Sequence, residues 1–420
     1  STFVLSSGNL SLFLYNKCKK CLIVCPNSLK LNWKKEIEKF TNKTVNIIDD
    51  KTLDIVSDFN IINYEKLCKD KFVEYLGNLK QDMIVFDESH NLKNEKSNKS
   101  KISELLAKNT EYVYLLSGTP IVNKPKELIN QLKILGYLDI FCDWWSYTTR
   151  YCGLERTRYG FKYDKAYNIT ELNNILKSTC MIRRLKKDVL TDLPPKQFSY
   201  IPLEFEYKYR KQYNMYLDAL KGKFNEEKNR KSFTLSEVSR LRQVVVKAKL
   251  DSFIEWVENF LETDNKLVIF GWHLNSIKEI CKKFKCNKIT GEVSIEDRQK
   301  YVDDFQNNPN TKLIVCNIKA AGTGLTLTSA SSLAFIEFAW TPGDMEQAED
   351  RIHRIGQLKQ ADIYYFYIPD TIDEVFIDML QEKNEIVMGV LDGYSKESLI
   401  NNEDKNLLTM KEKMLKYILK

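Results

Sequence analysis

The sequence predicts an α/β protein of two lobes, each a mainly parallel sheet flanked by helices. Three observations carry this. Short continuous apolar runs alternate with amphipathic stretches, as expected of strands buried on both faces. The alternation occurs in two separate series, divided by the proline pair Pro194-Pro195 and a long charged stretch. At 420 residues, the chain is also longer than one hydrophobic core normally serves.

The first series comprises Phe3–Leu5, Leu22–Cys25, Asn60–Ile62, Met83–Phe86 and Tyr112–Leu116, with helices expected over Leu29–Phe40 and Lys101–Lys108. The second comprises Leu267–Phe270, Lys288–Ile289, Leu313–Cys316, Leu333–Ile336 and Ile363–Ile368. The expected division is a first lobe over 1–200, a helical inter-lobe region over 201–262, a second lobe over 263–370 and a C-terminal helical brace over 371–420. The Lys- and Glu-rich tail reads as helix, either packed back across the lobes or offered to a partner.

Composition narrows the class. A hydrophobic content of 43% excludes a largely disordered chain. The net charge of +7, from 64 basic and 57 acidic residues, is a mild bias towards an anionic partner. Ten cysteines are scattered, and the one CxxC, Cys18-Lys-Lys-Cys21, has no second pair at zinc spacing. Reduced thiols of an intracellular protein, in cytoplasm, nucleoid or nucleus, are the expectation. No apolar run is long enough to span a membrane, and the first residues lack the pattern of a secretory leader.

Two short stretches carry the chemistry. Asp87-Glu88-Ser89-His90 puts two carboxylates and a histidine at the end of the Met83–Phe86 run. A carboxylate pair at a strand end suits Mg²⁺ and an attacking water. Gln347-Ala-Glu-Asp-Arg-Ile-His-Arg-Ile-Gly-Gln357 places Arg351 and Arg354 three apart, and therefore on one face if the stretch is helical. Paired guanidinium groups suit the γ-phosphate of a nucleotide. Neither half makes an active site alone; two lobes closing on one nucleotide would.

Further motifs recur in a set order. They are Cys25-Pro-Asn-Ser-Leu-Lys-Leu-Asn-Trp33, Asn63-Tyr64, Asp87–Asn94, Leu116-Ser-Gly-Thr-Pro120 with Asn123, Arg183-Arg-Leu-Lys-Lys-Asp-Val189, Gly291–Arg298, Ala320-Ala-Gly-Thr-Gly-Leu325 and Gln347–Gln357. Together they resemble the Swi/Snf-type ATPases of helicase superfamily two, over nearly the whole chain. Within that family the likeness is to the compact annealing-helicase branch.

The resemblance implies two RecA-like lobes, ATP and Mg²⁺ as ligands, and DNA, duplex or branched, as the track of a monomeric motor. It implies that Asp87 holds Mg²⁺, Glu88 polarises water, Arg351 and Arg354 act as arginine fingers and Gln347 orients the nucleotide or the coupling network. Gly8, His90, Ser117, Thr119, Gly322, Gly324 and Asp350 are then nucleotide-binding or coupling residues. Ser-Gly-Thr-Pro is equally well explained as a capped turn, and His353 reads better as helix packing than as catalysis. The expected DNA contacts, mostly to backbone, are Asn27, Ser28, Lys30, Asn63, Lys93, Arg184, Lys187, Arg298, Lys319, Thr323 and Trp340. The basic cluster Arg183, Arg184, Lys186, Lys187 suits DNA, a solvated helix face or a brace between lobes. Trp340 suits core or DNA equally, and Trp33 reads as core.

One motif is missing. No Gly-Lys-Ser or Gly-Lys-Thr occurs, although a strand over Thr2–Ser6 and a helix over Leu10–Lys17 frame the place for a phosphate-binding loop. Ser7-Gly8-Asn9 is too short to supply it. We take the loop to be lost from this sequence between Gly8 and Asn9. The function expected is then an ATP-dependent translocase or remodeller of double-stranded DNA, hydrolysing ATP in the cleft between lobes. The alternatives are a strand-separating helicase of the same superfamily and, if the loop is truly deleted, a DNA-binding scaffold without ATPase activity.

Overall fold

The computed structural model describes residues 18–49, 57–78, 80–121, 124–158, 160–163, 165–226, 233–321, 324–393 and 410–420. The expected strand Phe3–Leu5, the helix before Lys17, and Gly8, Asn123, Gly322 and Thr323 lie outside them. The chain divides into two compact units, Ser1–Arg183 with Glu385–Lys405, and Arg184–Asn384 with Asn406–Lys420.

The first unit is built on five parallel strands in the order β2-β3-β1-β4-β5. These are β1 (Cys21–Cys25), β2 (Val45–Ile47), β3 (Phe59–Asn63), β4 (Met83–Asp87) and β5 (Tyr112–Leu116). In β1, β3 and β4 every residue is buried. Alternation sends Leu22, Val24, Ile62, Ile84 and Phe86 to one core and Ile23, Ile61, Met83 and Val85 to the other. Helix Lys30–Phe40 closes the second core with Trp33 and Ile37. A third cluster joins helices Ile129–Leu135, Trp144–Cys152 and Ile169–Thr179 to Val387, Val390 and Leu391.

A separate antiparallel pair, β6 (Glu155–Thr157) and β7 (Gly160–Lys162), follows helix Trp144–Cys152.

The second unit carries six parallel strands in the order β10-β11-β9-β12-β13-β8. These are β8 (Lys196–Pro202), β9 (Leu267–Gly271), β10 (Asn287–Ile289), β11 (Leu313–Asn317), β12 (Ser332–Phe335) and β13 (Ala361–Tyr367). Helix Leu235–Leu261 feeds both cores, with Leu241 and Val245 on one side and Phe253 and Val257 on the other. Its Lys249, fully buried, donates to Asp373 Oδ2 at 2.9 Å and to the Phe366 carbonyl at 3.0 Å. The helices expected between the lobes are thus part of the second unit's body.

The two compact units meet in sequence at Arg183 and Arg184. Lys186 and Lys196 are ion-paired to Asp350 and Glu349, which draws this basic segment into the second unit. Strand β8 was not expected. It lies at a sheet edge, opens on Lys196-Gln197, and is exposed or half-buried throughout, so it lacks the apolar signature of a strand buried on both faces. The tail helix Ile372–Asp392 starts in the second unit, and its residues from Glu385 onward belong to the first.

Candidate active site

The sequence-selected residues of each unit follow the carboxyl ends of neighbouring parallel strands, where open α/β sheets bind their ligands. In the first unit, Cys25 pairs in register with Asn63, Val24 with Phe86, and Asp87 with Leu116. The segments beginning at Pro26, Asn63, Asp87 and Ser117 therefore leave the sheet side by side.

Asp87 is 3% exposed. Its Oδ2 accepts Trp33 Nε1–H at 2.8 Å and its Oδ1 accepts the Glu88 amide at 2.9 Å. Tyr64 donates its hydroxyl to the Asp87 carbonyl at 2.8 Å. Burial pushes the Asp87 carboxyl above the usual carboxylate range, and these two hydrogen bonds offset that only in part. Such a carboxylate gains from a cation, and each oxygen keeps a further acceptor site. Among the described residues no group of three or more His, Cys, Asp or Glu forms a metal cage. One or two carboxylates completed by phosphate oxygens and water is the usual setting of Mg²⁺, and Asp87 fits it.

Glu88 sits at φ 50°, ψ 52°, a left-handed conformation that a non-glycine residue adopts at a cost. This turn opens the short helix Ser89–Leu92 and sets the Glu88 carboxylate 3.4 Å from His90 Nδ1. The same nitrogen lies 3.3 Å from Ser117 Oγ, which accepts the Thr119 amide at 3.1 Å. A chain Glu88–His90–Ser117–Thr119 thus joins the acidic pair to the Ser-Gly-Thr-Pro loop, which is also a capped turn. Sequence reasoning missed Gln131. Its Oε1 accepts Ser89 Oγ–H at 2.9 Å and its Nε2 donates to the Pro120 carbonyl at 2.7 Å, tying the same two segments together from below. Nothing in its local sequence marks it. Trp33, read as core, is core and also orients Asp87.

In the second unit, helix Pro342–Glu349 ends before the arginines. Arg351 and Arg354 therefore do not share a helix face, as the spacing suggested. Tightened turns follow the helix, with Arg351 N–H on the Ala348 carbonyl at 3.1 Å and Ile352 N–H on the Glu349 carbonyl at 3.2 Å. The pair still converges. Arg351 Nε donates to the Gln347 carbonyl at 2.8 Å, and Arg351 and Arg354 reach the Leu325 carbonyl at 3.2 and 3.5 Å. Arg354 also reaches Thr326 Oγ1 at 3.2 Å. Gly324, at φ 79°, lets the chain turn back beneath them.

Asp350 is anchored by Lys186 at 2.6 Å and Lys196 at 3.0 Å. Burial alone would raise its pKa; Lys196 and then Lys186 outweigh that and hold it below the ordinary value. His353 Nε2 is 2.7 Å from the Pro194 carbonyl, and burial holds the imidazole below its ordinary pKa. It is therefore neutral at pH 7 and packed, as expected. Gln357 Nε2 donates to the Thr328, Ala330 and Ile352 carbonyls, closing the turn.

The expected DNA contacts are placed unevenly. Asn27, Lys93, Arg184 and Lys319 are exposed, and Ser28 and Lys30 half-buried. Lys93 Nζ is 3.7 Å from Glu127, and Lys319 lies over the Trp272 ring at 4.7 Å. Asn63 is buried, its amide donated to Glu65 at 2.6 Å. Arg298 spends its guanidinium on the Val293 and Thr290 carbonyls, at 3.0 and 2.8 Å. Trp340 packs on Phe376 at 4.9 Å, beside the buried Arg242. Of the basic cluster, Arg183 is paired with Asp392 and Lys186 with Asp350; the side chain of Lys187 is not described.

Two parallel units with these residues at their strand ends are the RecA-like lobes of the Swi2/Snf2-type helicase-like ATPases, and the chain belongs to that family. Residues 12–250 match the SNF2-related domain and residues 248–356 the helicase conserved C-terminal domain. Among its relatives is the human DNA annealing helicase and endonuclease ZRANB3, 31% identical over 414 residues, covering 94% of this chain and 38% of the relative. Another is the Caenorhabditis elegans homolog of SWI/SNF-related matrix-associated actin-dependent regulator of chromatin subfamily A-like protein 1, 34% identical over 386 residues, covering 87% of this chain and 54% of that one. The chain thus spans well under two thirds of these relatives. A Sulfolobus solfataricus SWI2/SNF2 ATPase core solved with dsDNA is 25% identical, covers 93% of this chain and 87% of its own, and has a TM-score of 0.40. No helix among the described residues is long and apolar enough to cross a membrane.

Proposed function

We propose that this chain is the motor of an ATP-driven DNA translocase that remodels or reanneals branched DNA. The observation that carries the reading is the Asp87–Glu88 turn: a desolvated carboxylate beside a strained one, linked through His90 to the Ser117 loop. Mg²⁺ held by Asp87 would neutralise phosphate oxygens. Glu88 orients the attacking water and takes its proton. Arg351 and Arg354, set by the Gln347 and Leu325 carbonyls, stabilise charge on the γ-phosphate. His90 and Ser117 pass the state of Glu88 to the loop that follows β5. The relatives named for DNA annealing support DNA as the track.

The test is ATP hydrolysis by the complete natural protein, with and without duplex DNA, beside Glu88→Gln. Stimulation by duplex that the variant abolishes is the expected result. DNA binding without hydrolysis would replace the motor with a scaffold. A tailed duplex in the same assay reports whether strands are separated or rejoined.

A further inference from the structure

The nucleotide chemistry makes no use of the β6–β7 hairpin, and sequence reasoning did not foresee it. It pairs Glu155 with Lys162, Arg156 with Phe161 and Thr157 with Gly160, and all six residues are exposed. A lone two-stranded hairpin is marginal in water, so something must hold it. Its root does. Gly153 turns the chain at φ +61°, where a Cβ would stand 2.6 Å from the Tyr167 ring. Lys165 N–H bonds the Cys152 carbonyl and Tyr167 N–H the Tyr151 carbonyl, each at 3.0 Å.

A ladder of rings stiffens the hairpin further. Tyr163 meets Trp144, Trp144 meets Trp145, and Trp145 meets Phe161, each edge to face at 5.0 Å. At the outer end Trp145 stays 50% exposed and Phe161 49%. Large apolar rings left in water on a braced support mark a binding surface. Among the described residues of the hairpin basic side chains outnumber acidic ones, and the exposed Asp143 beside Trp145 caps its helix by accepting the Ser146 amide. Arg156, Arg158 and Lys162 are exposed, and Lys126 lies over the Tyr163 ring at 5.7 Å. Glu155, the acidic residue of the paired strands, is taken up by Lys165.

Half-exposed aromatic rings with several cations close by match unpaired nucleotides, whose bases stack and whose phosphates pair. An intact duplex hides its base faces and offers only edges and backbone. We infer that the hairpin, with Trp145, is a binding site for unpaired bases next to a duplex, as at a fork or frayed end. Trp145 and Phe161 stack on the bases, and Arg156, Arg158 and Lys162 take the phosphates. The inference rests on DNA being the track, and adds which part of the DNA this face reads.

The experiment measures binding of the full natural protein, by fluorescence anisotropy, to one duplex with a blunt end or a single-stranded tail. The Trp145→Ala/Phe161→Ala variant should bind the tailed probe about tenfold more weakly and the blunt probe as wild type does. Trp145→Phe, which keeps a ring, should restore much of the difference. Arg156→Ala/Arg158→Ala should flatten the salt dependence on the tailed probe. Equal losses on both probes would overturn the inference in favour of a general duplex contact. No loss on either would also overturn it, in favour of a protein-facing surface. Duplex-stimulated hydrolysis by the same samples separates the two readings. If wild type shows it and the tail-specific loss is absent, only this inference fails; if wild type neither binds nor responds to DNA, the proposed function fails with it.

Discussion

Asp87 in the first unit and Asp350 in the second are both held by named partners, yet their pKa values move in opposite directions. Asp87 is buried among neutral donors, the Trp33 indole and the Glu88 amide, so desolvation wins and its charge is disfavoured. Asp350 faces two ammonium groups, and they win. The first unit therefore keeps a carboxylate whose hydrogen-bond donors among the described residues are neutral, a state suited to receiving a metal ion. The second has neutralised its own carboxylate and uses it as an anchor for the turn that carries the arginines. Asp350, placed by the family resemblance among the nucleotide-binding or coupling residues, is ion-paired within its own unit, while the buried Asp87 has neutral hydrogen-bond donors on its carboxylate.

The comparison can be broken most directly at the arginines. If they are the catalytic element of their turn, Arg354→Ala should lower duplex-stimulated phosphate release about 10³-fold or more while nucleotide binding persists. A loss of only a few fold would make Arg354 scaffold too. Glu88→Gln should cost about 10²-fold or more in the same assay, as loss of a positioned base does. Retention of near wild-type turnover would move the base elsewhere.

Stability sharpens the contrast. Asp350→Asn removes one charged partner from each of Lys186 and Lys196, which keep the His353 carbonyl and Glu349, and should cost about 2 kcal/mol in urea unfolding, less than breaking a fully buried pair because Asp350 keeps 25% of its side chain in water. Asp87→Asn should cost distinctly less, since it removes an unfavourable buried charge along with one acceptor. The reverse order would sink the argument. The pH dependence carries the same signs. Asp350, with its folded pKa depressed, stabilises above its ordinary pKa of 3.8 and loses that contribution as acid carries the pH below it. Asp87, with its folded pKa raised, starts to oppose folding as pH rises above 3.8. Acid titration of the two Asn variants against wild type should show slopes of opposite sign in that region. Glu337 in the second unit follows Asp350. Burial is outweighed by His273 and then Arg242, which hold it down to about 2 from an ordinary 4.5. Glu337→Gln should therefore remove part of the acid dependence between those values.

The smallest effect is expected at Trp33→Phe. It keeps the ring in the core and removes one hydrogen bond to Asp87, at about 1 kcal/mol. Its signature should be a raised Mg²⁺ requirement for hydrolysis, with a melting point lowered by only a few degrees.

Most strands of both sheets were legible because a strand buried on both faces must be apolar throughout, as Leu22–Cys25, Met83–Phe86 and Leu313–Cys316 are. Strands β2 and β8 and the β6–β7 hairpin were not. Edge and exposed strands carry mixed residues, and their identity rests on a neighbour distant in sequence, as β8 rests on β13. The acidic pair and the arginine pair were likewise visible as residues, because phosphate chemistry admits few side-chain types. Their surroundings were not visible. That Arg351 and Arg354 meet on the Leu325 carbonyl, that Lys186 and Lys196 lock Asp350, and that Gln131 ties Ser89 to Pro120 are contacts between segments far apart in the chain. Local sequence sets which groups are available and the period on which they recur. Which groups meet, and so which carboxylate is neutralised and which is left short of charge, is decided only when the chain packs and water is excluded.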